Sequence, residues 1–96
     1  MDRVFEWDEI KAALNYRKHG IRFEEAVFVF GDPFALSEHD RIERGEHRWQ
    51  TIGMVEGLLL VLVAHTVHIE ETGDEIVRII SARRADRKER KRYEHG

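Results

Sequence analysis

The sequence of 96 residues contains no cysteine, only one proline and no long apolar segment. Without cysteine, disulfide bonds and thiolate chemistry are excluded, and the reducing cytosol is the natural compartment. The longest apolar run, residues 58–64, is too short to cross a bilayer. Four acids occupy residues 2–9, where a signal peptide would have a basic segment and an apolar core. We therefore expect a cytoplasmic protein that does not associate with membranes.

Several catalytic signatures are also missing. The sequence has neither a serine nucleophile motif nor a glycine-rich phosphate loop, so covalent catalysis and nucleoside triphosphate binding have no support. Six histidines raise the question of a metal site, and His65 and His68 have the most suggestive spacing. On a strand, however, residues three apart point to opposite faces and cannot share one ion. The expectation is a protein without metal or other cofactor.

The charge distribution is uneven along the chain. The net charge is −3, yet residues 78–92 contain eight Lys or Arg and only two acids. The remaining residues are therefore strongly acidic. Such a concentration of cations is a fixed positive patch that suits a phosphate backbone. At 42% hydrophobic and 36% charged, the chain is expected to form one soluble folded domain over residues 1–96.

Two helices are predicted near the N-terminus, after a short strand at Val4–Trp7. The first begins after the N-cap Asp8 and ends at Gly20. The cations Lys18 and His19 precede this glycine, where they either oppose the helix dipole or contact phosphate. The second helix is predicted over residues 23–30, because apolar residues recur there with helical spacing.

The rest of the chain predicts strands. Candidate strands are an edge strand at 34–37, an alternating strand at 47–53, an apolar strand at 58–67 and a last strand from Glu75, with a charged loop at 38–46. Short turns between them predict an antiparallel meander with both helices packed on one face. Asp86 and Glu89 have capping-box spacing and predict a basic C-terminal helix. That helix has few apolar residues, so we expect the strand at 58–67 to be poorly covered. The fold class is α+β.

Metal-independent RNA cleavage would explain the arginines. The ribose 2′-OH attacks the adjacent phosphorus, so the protein must move two protons and stabilise charge on the phosphorane oxygens. Arginine performs the last task well because its forked donors match phosphate oxygens. Two other interpretations remain open. The same arginines would suit a non-catalytic module that binds nucleic acid or an acidic partner, or they would form ion pairs with the protein's own acids.

The order of several short motifs resembles one known family. These motifs are Phe5-Glu-Trp-Asp8, Asn15 with Lys18-His-Gly20, Phe23-Glu-x-Ala26, Phe30-x-Asp-Pro33, Arg48-Trp49, Ile52-Gly53, His65-Thr66, and Arg78-Ile-Ile-Ser-Ala-Arg-Arg-Ala85 with Glu89 and Tyr93. Together they resemble the BrnT family of type II toxins over nearly the whole chain. The resemblance implies a RelE-like fold, ribonuclease activity that stops translation, and neutralisation by a BrnA antitoxin. It also implies that operator DNA is bound only through the toxin–antitoxin complex.

The predicted site combines the arginines with titratable rings. Predicted catalytic residues are Arg48, His65, His68, Arg78, Arg83 and Arg84, and predicted RNA-binding residues are Lys18, His19, Arg87, Lys88 and Tyr93. The sequence departs from the family pattern after His65-Thr66, where His68 stands instead of an arginine and two acids follow at 70–71. A histidine keeps a proton donor but not a permanent charge. We therefore expect weaker activity or an acid–base role for His68.

Overall fold

The computed structural model describes residues 2–96, which form an α+β fold with one mixed sheet and three α-helices. The strands are β1 (Arg3–Glu6), β2 (Leu36–Glu43), β3 (Glu46–Val55), β4 (Leu59–Ile69) and β5 (Glu75–Arg84). The helices are α1 (Glu9–His19), α2 (Phe23–Ala26) and α3 (Arg87–His95), with a 3₁₀ helix at Val27–Gly31 directly after α2. Among residues 2–96, no helix has the length and apolarity that a membrane span requires.

The strand order is β1-β5-β4-β3-β2. Strands β2 to β5 form the expected antiparallel meander, but β1 pairs with β5 in parallel. The prediction of a purely antiparallel sheet is therefore wrong at this edge. The reason is the connection, because the chain leaves β1 through the helices and the meander and returns in β5 along the same direction. A four-residue strand carries no sequence signal for the direction of its partner.

The sequence predicted a charged loop at 38–46, and this prediction is wrong: most of the stretch forms the outer part of a long hairpin. Strand β2 extends to Glu43 and pairs with β3, and the turn between them is Arg44-Gly45, both with positive φ. Two consecutive residues with positive φ are typical of a type I′ hairpin turn. The charged side chains are tolerated because β2 is an edge strand, where they remain in water and discourage pairing with other molecules.

The two ends of α1 form as predicted. The Asp8 carboxylate accepts hydrogen bonds from the amides of Ile10 and Lys11, and Gly20 closes the helix with φ of 72°. The second predicted helix is only partly α-helical, because after Ala26 it tightens into the 3₁₀ helix. There its backbone approaches β3 so closely that a Cβ at Gly53 would lie 2.8 Å from the carbonyl oxygen of Val29. A glycine is required at this contact.

The sheet has a separate apolar core on each face. On one, which we call the helical face, Phe23, Ala26 and Val29 pack with residues of β4 and β5 such as Val63 and Ile79. On the other, the α3 face, Ile52, Leu60 and Leu62 pack against Ala85 and Tyr93. Residues 60–63 are at most 3% exposed. The expectation that the strand at 58–67 would be poorly covered is therefore wrong for residues 60–63, because Tyr93 packs on Leu60 and Leu62 where the basic residues of α3 cannot. It holds at the ends, where Leu58 and Val67 are exposed.

Candidate active site

Helix α3 covers only part of its face of the sheet, and the remainder forms an open surface lined by polar residues. Arg48, Gln50, Thr66, His68, Arg78 and Ser81 project from β3, β4 and β5 on this side, and we call this surface the arginine shelf. Thr66 pairs with Arg78, while Trp49 pairs with His65, so that Arg48 stands next to Thr66. Arg48 on β3 and Arg78 on β5 therefore flank the buried Thr66 on β4. Their backbones are separated by two interstrand spacings, or about 10 Å.

Arg48 is held in the sheet with unused hydrogen-bonding capacity. Its side chain is 22% exposed, and its Nε is buried without a hydrogen-bond partner among residues 2–96. The nearest acid, Glu43, has a carboxylate oxygen 3.9 Å from NH2 of Arg48, which is too long for a hydrogen bond. A buried unsatisfied donor is costly and therefore indicates a missing partner. Because Nε itself is buried, an anion on the shelf would bind the exposed part of this side chain.

Arg78 is exposed and has no carboxylate within 4.0 Å in the part of the chain that the structure describes. Hydrogen bonds from the amides of Lys11 and Ile10 lower the pKa of the Asp8 carboxyl group, and the charge of Arg78 adds a smaller contribution in the same direction. His68 is 71% exposed, and its Nε2 lies 3.8 Å from a carboxylate oxygen of Glu70. The shelf thus combines one free guanidinium group with a solvent-exposed imidazole.

Arg83 lies on the same face but is paired. Its two terminal nitrogens donate to both carboxylate oxygens of Glu89, at 2.8 and 2.9 Å. The hydrogen bonds from Arg83 lower the pKa of Glu89, and the same hydrogen bonds raise the pKa of Arg83. Glu89 also accepts from the Asp86 amide in the predicted capping box. Sequence reasoning identified Glu89 as a cap and missed that it fixes Arg83 and joins α3 to β5.

A β-bulge decides which arginines share a face. The pairing of β4 with β5 changes from His65↔Ile79 to Ala64↔Ser81, so Ile80 is an extra residue. Beyond the bulge, Ser81 and Arg83 therefore lie on the face of the shelf, while Ala82 and Arg84 lie on the helical face. Without this bulge, side chains along β5 would alternate regularly, and Arg84 instead of Arg83 would lie on the same face as Arg78.

Asn15 stabilises this part of β5 from the helical face. The side chain is 7% exposed. Its amide group donates to the carbonyl oxygens of Ile21 and Ala82 and accepts from the Ala82 amide, so it acts as a short substitute for a neighbouring strand. Sequence reasoning did not assign this role. The apolar spacing of α1 gave no signal for it, because Ile10 and Leu14 are exposed and Asn15 is the residue that this helix buries. An amide buried there without partners would be costly.

His65 lies on the helical face, away from the arginine shelf. It is 3% exposed, and its ring packs edge-on against Phe30. Nε2 is 2.7 Å from the Thr51 hydroxyl, which in turn is 2.8 Å from the Ser37 hydroxyl. Burial is the main cause that lowers its pKa. The structure therefore does not bring His65 together with the arginines of the shelf; Arg3 lines the same groove as His65.

The predicted RNA-binding residues are distributed over both faces. Lys18 and His19 lie in the last turn of α1, which packs on the helical face, whereas Arg87 and Lys88 are exposed in the first turn of α3. Tyr93 is half-buried, and its hydroxyl donates a 2.6 Å hydrogen bond to Asp32 that raises its pKa to about 12. Asp32 also accepts from the Met54 amide. Tyr93 thus ties α3 to the segment before β2.

No group of three or more His, Asp or Glu side chains suited to holding a metal ion occurs within residues 2–96. The shelf instead offers guanidinium groups. Arrangements of this kind bind phosphate groups through charge and paired N–H donors. One face of the sheet therefore provides a cationic surface for a polyanion, and the structure places Arg48, His68, Arg78 and Arg83 of the predicted catalytic residues on it.

Comparisons with known proteins agree with this fold. Residues 7–89 match the sequence model of a family described as the ribonuclease toxin BrnT of type II toxin–antitoxin systems. The crystal structure of the Brucella abortus ribonuclease toxin BrnT superposes with a TM-score of 0.59 at 22% sequence identity. The superposition covers 91% of this chain and 100% of that chain. Among curated protein sequences, none matches this chain.

Proposed function

The chain belongs to the BrnT family of ribonuclease toxins of type II toxin–antitoxin systems, and we propose that it cleaves RNA on the arginine shelf without a metal ion or other cofactor. The observation that carries this proposal is the pair Arg48 and Arg78. Both lack a hydrogen-bonded carboxylate partner among residues 2–96, and Nε of Arg48 is buried without any partner. Two arginine side chains can converge on one phosphate across the separation of these strands. Phosphate oxygens would bind the exposed parts of these two side chains, which have no hydrogen-bonded carboxylate partner.

In the proposed reaction, the 2′-OH adjacent to the scissile phosphate attacks phosphorus and the 5′-oxygen leaves. One proton is lost from the 2′-OH and one is gained by the 5′-oxygen, and a 2′,3′-cyclic phosphate results. Arg48 and Arg78 stabilise the additional negative charge on the phosphorane oxygens. His68, the titratable ring on the shelf, carries one of the protons. Its high exposure leaves it free to approach the ribose.

The other predicted residues take supporting roles in this proposal. Arg83 marks the end of the shelf, where its contacts with Glu89 fix α3 and leave about a third of its side chain open to RNA. Arg87 and Lys88 extend the cationic path along α3. His65 and Arg84, on the helical face, do not contact the scissile phosphate, and neither do Lys18, His19 or Tyr93.

An antitoxin partner follows from membership in a type II system. We propose that this partner is a BrnA-type protein with an acidic segment that covers the shelf and competes with RNA, since the strongest cluster of cations lies in residues 78–92. The complex, and not the free toxin, would bind operator DNA. The fold is proposed to be RelE-like and the compartment to be the cytoplasm, where RNA cleavage would inhibit translation.

Induced expression in a bacterium, with and without the neighbouring open reading frame, tests this proposal. We expect growth arrest that the neighbouring reading frame relieves, and no arrest with Arg78→Ala. Arg17→Ala is the matched control, because Arg17 is an exposed arginine of α1, on the opposite side of the sheet. If RNA binds to the shelf but is not cut, and expression is harmless, the protein is a non-catalytic nucleic-acid-binding module.

A further inference from the structure

The hairpin of β2 and β3 brings two histidines together on the helical face. His39 pairs with Trp49, and a bulge at Asp40 changes the register before Arg41 pairs with Arg48. This bulge brings the ring of His39 beside that of His47, with ring centroids 5.0 Å apart. Both histidines are exposed. They are eight residues apart in the sequence, so no local spacing motif indicates the pair.

The two rings are hydrogen-bonded at a distance that also suits a chelate. Nε2 of His39 lies 2.9 Å from Nδ1 of His47, and one of these nitrogens donates to the other. Imidazole nitrogens bound to one cation lie about 2.0–2.1 Å from it, so two of them are roughly 2.9–3.4 Å apart when they occupy neighbouring positions of a square-planar or tetrahedral site. An ion would replace this hydrogen bond: the donor ring adopts its other tautomer, and a small rotation of the rings then directs both lone pairs at the ion. The hairpin backbone holds the two side chains at this separation before any ion binds.

We propose that His39 and His47 form a surface binding site for a divalent first-row transition cation. Two imidazoles favour Cu²⁺ over Ni²⁺ and Zn²⁺, in the general order of affinity for nitrogen ligands. Within residues 2–96, no third His, Asp or Glu side chain completes a cluster, so water would fill the remaining positions. A groove of about 580 Å³ opens beside His47, between Ser37 and Trp49, and provides space for that water.

This site is separate from the arginine shelf. His47 and Trp49 line the groove of the helical face, whereas Arg48 between them points to the opposite face. Metal binding would therefore occur on the reverse side of the hairpin that supplies Arg48. RNA cleavage in the presence of EDTA and metal binding at the histidine pair are independent, and either can fail without the other.

Trp49 provides a signal for binding. Its ring packs edge-on against His39, with centroids 5.2 Å apart, so a Cu²⁺ or Ni²⁺ ion on the pair should quench its fluorescence. Because Trp7 is the second tryptophan, the titration uses a Trp7→Phe background. We expect saturable quenching at one equivalent of Cu²⁺. His39→Ala and His47→Ala should each weaken Cu²⁺ binding by at least about tenfold, the smallest effect that loss of an outer-shell partner typically has, because each removes a direct ligand.

His68→Ala is the matched control, because His68 is an exposed strand histidine on the other face, and it should leave the titration unchanged. Circular dichroism checks that each variant is folded. His39→Gln and His47→Gln serve as second variants that keep polar side chains on the hairpin. Equal Cu²⁺ affinity in the wild-type protein and in a folded His39→Ala, His47→Ala double variant, measured by calorimetry, would overturn the proposal. So would the absence of any saturable binding to the wild-type protein.

Discussion

Replacing Asn15 tests whether three hydrogen bonds position the end of β5. The change Asn15→Ala leaves the Ala82 amide, the Ala82 carbonyl and the Ile21 carbonyl without a partner in a buried position. Each unpaired buried group costs about 1–3 kcal/mol, although entering water offsets part of this. Alanine also improves helix propensity by roughly 0.5 kcal/mol. We expect a net loss of about 3 kcal/mol, a large fraction of the ~5–15 kcal/mol by which small domains are stable.

The free energy of unfolding is measured by urea denaturation, followed by circular dichroism and tryptophan fluorescence. Asn15→Asp separates hydrogen bonding from packing at neutral pH. The aspartate has nearly the same volume and still accepts from the Ala82 amide, but its carboxylate faces two carbonyl oxygens to which it cannot donate. We therefore expect Asn15→Asp to destabilise the protein about as much as Asn15→Ala.

Lys11→Ala, an exposed position in the same helix, is the control and should change stability by less than about 0.5 kcal/mol. A different pattern would refute the reasoning. If Asn15→Asp is as stable as the wild-type protein while Asn15→Ala is not, the side chain contributes volume and one bond to the Ala82 amide. The bonds to the two carbonyl groups would then contribute nothing.

Three further predictions concern α3 and its contacts. Hydrogen bonds from Arg83 lower the pKa of Glu89, so the stability that Glu89 contributes is present above its ordinary pKa of 4.5 and is lost as the pH falls through the lowered pKa. Glu89→Gln should therefore flatten the acid limb of a plot of unfolding free energy against pH. The pKa of Tyr93 is raised to about 12 by Asp32, so its contribution is present below pH 10 and is lost as the pH rises towards 12. Tyr93→Phe should therefore lower stability at pH 8 and reduce the alkaline loss, and an unchanged alkaline limb would contradict this. Arg83→Ala should destabilise the protein more than Arg84→Ala does. The difference should lie between the ~1 kcal/mol of a surface ion pair and the ~3 kcal/mol of a fully buried one, because the pair with Glu89 is partly buried. Equal urea midpoints of the two variants would show that this pair contributes little.

Local sequence signals predicted the helices whose ends are marked by capping residues. Asp8 and Gly20 determine the ends of α1, and the capping box at Asp86 determines the start of α3. The meander followed from short turns between apolar strands. The parallel edge strand and the length of β2 did not follow, because both depend on which strand lies alongside. Charged residues at 38–43 have low strand propensity and adopt strand structure only because β3 provides hydrogen bonds on one side.

The sequence predicted which residue types the candidate site would contain, but not which of these residues lie on the same face. The density of arginines indicated a surface for phosphate, and the arginine shelf contains such residues. Which arginines face the same way depends on the extra residue Ile80, and a bulge of this kind leaves no clear mark in a run of apolar residues. The separation of His65 from the arginines follows from its position on the alternate face of β4. The metal ligands proposed here were likewise hidden, because a cross-strand pair depends on register.

RNA cleavage by purified Arg48→Ala and Arg78→Ala variants in EDTA tests the central claim most directly. The wild-type protein should cut RNA in EDTA and leave 2′,3′-cyclic or 3′-phosphate ends. Each variant should lose activity by about 10²–10³-fold, as when a preorganised transition-state donor is removed, while the urea midpoint stays close to that of the wild-type protein. Arg17→Ala should retain full activity. Undiminished cleavage by the folded Arg48→Ala, Arg78→Ala double variant would contradict the assignment of the arginine shelf as the active site.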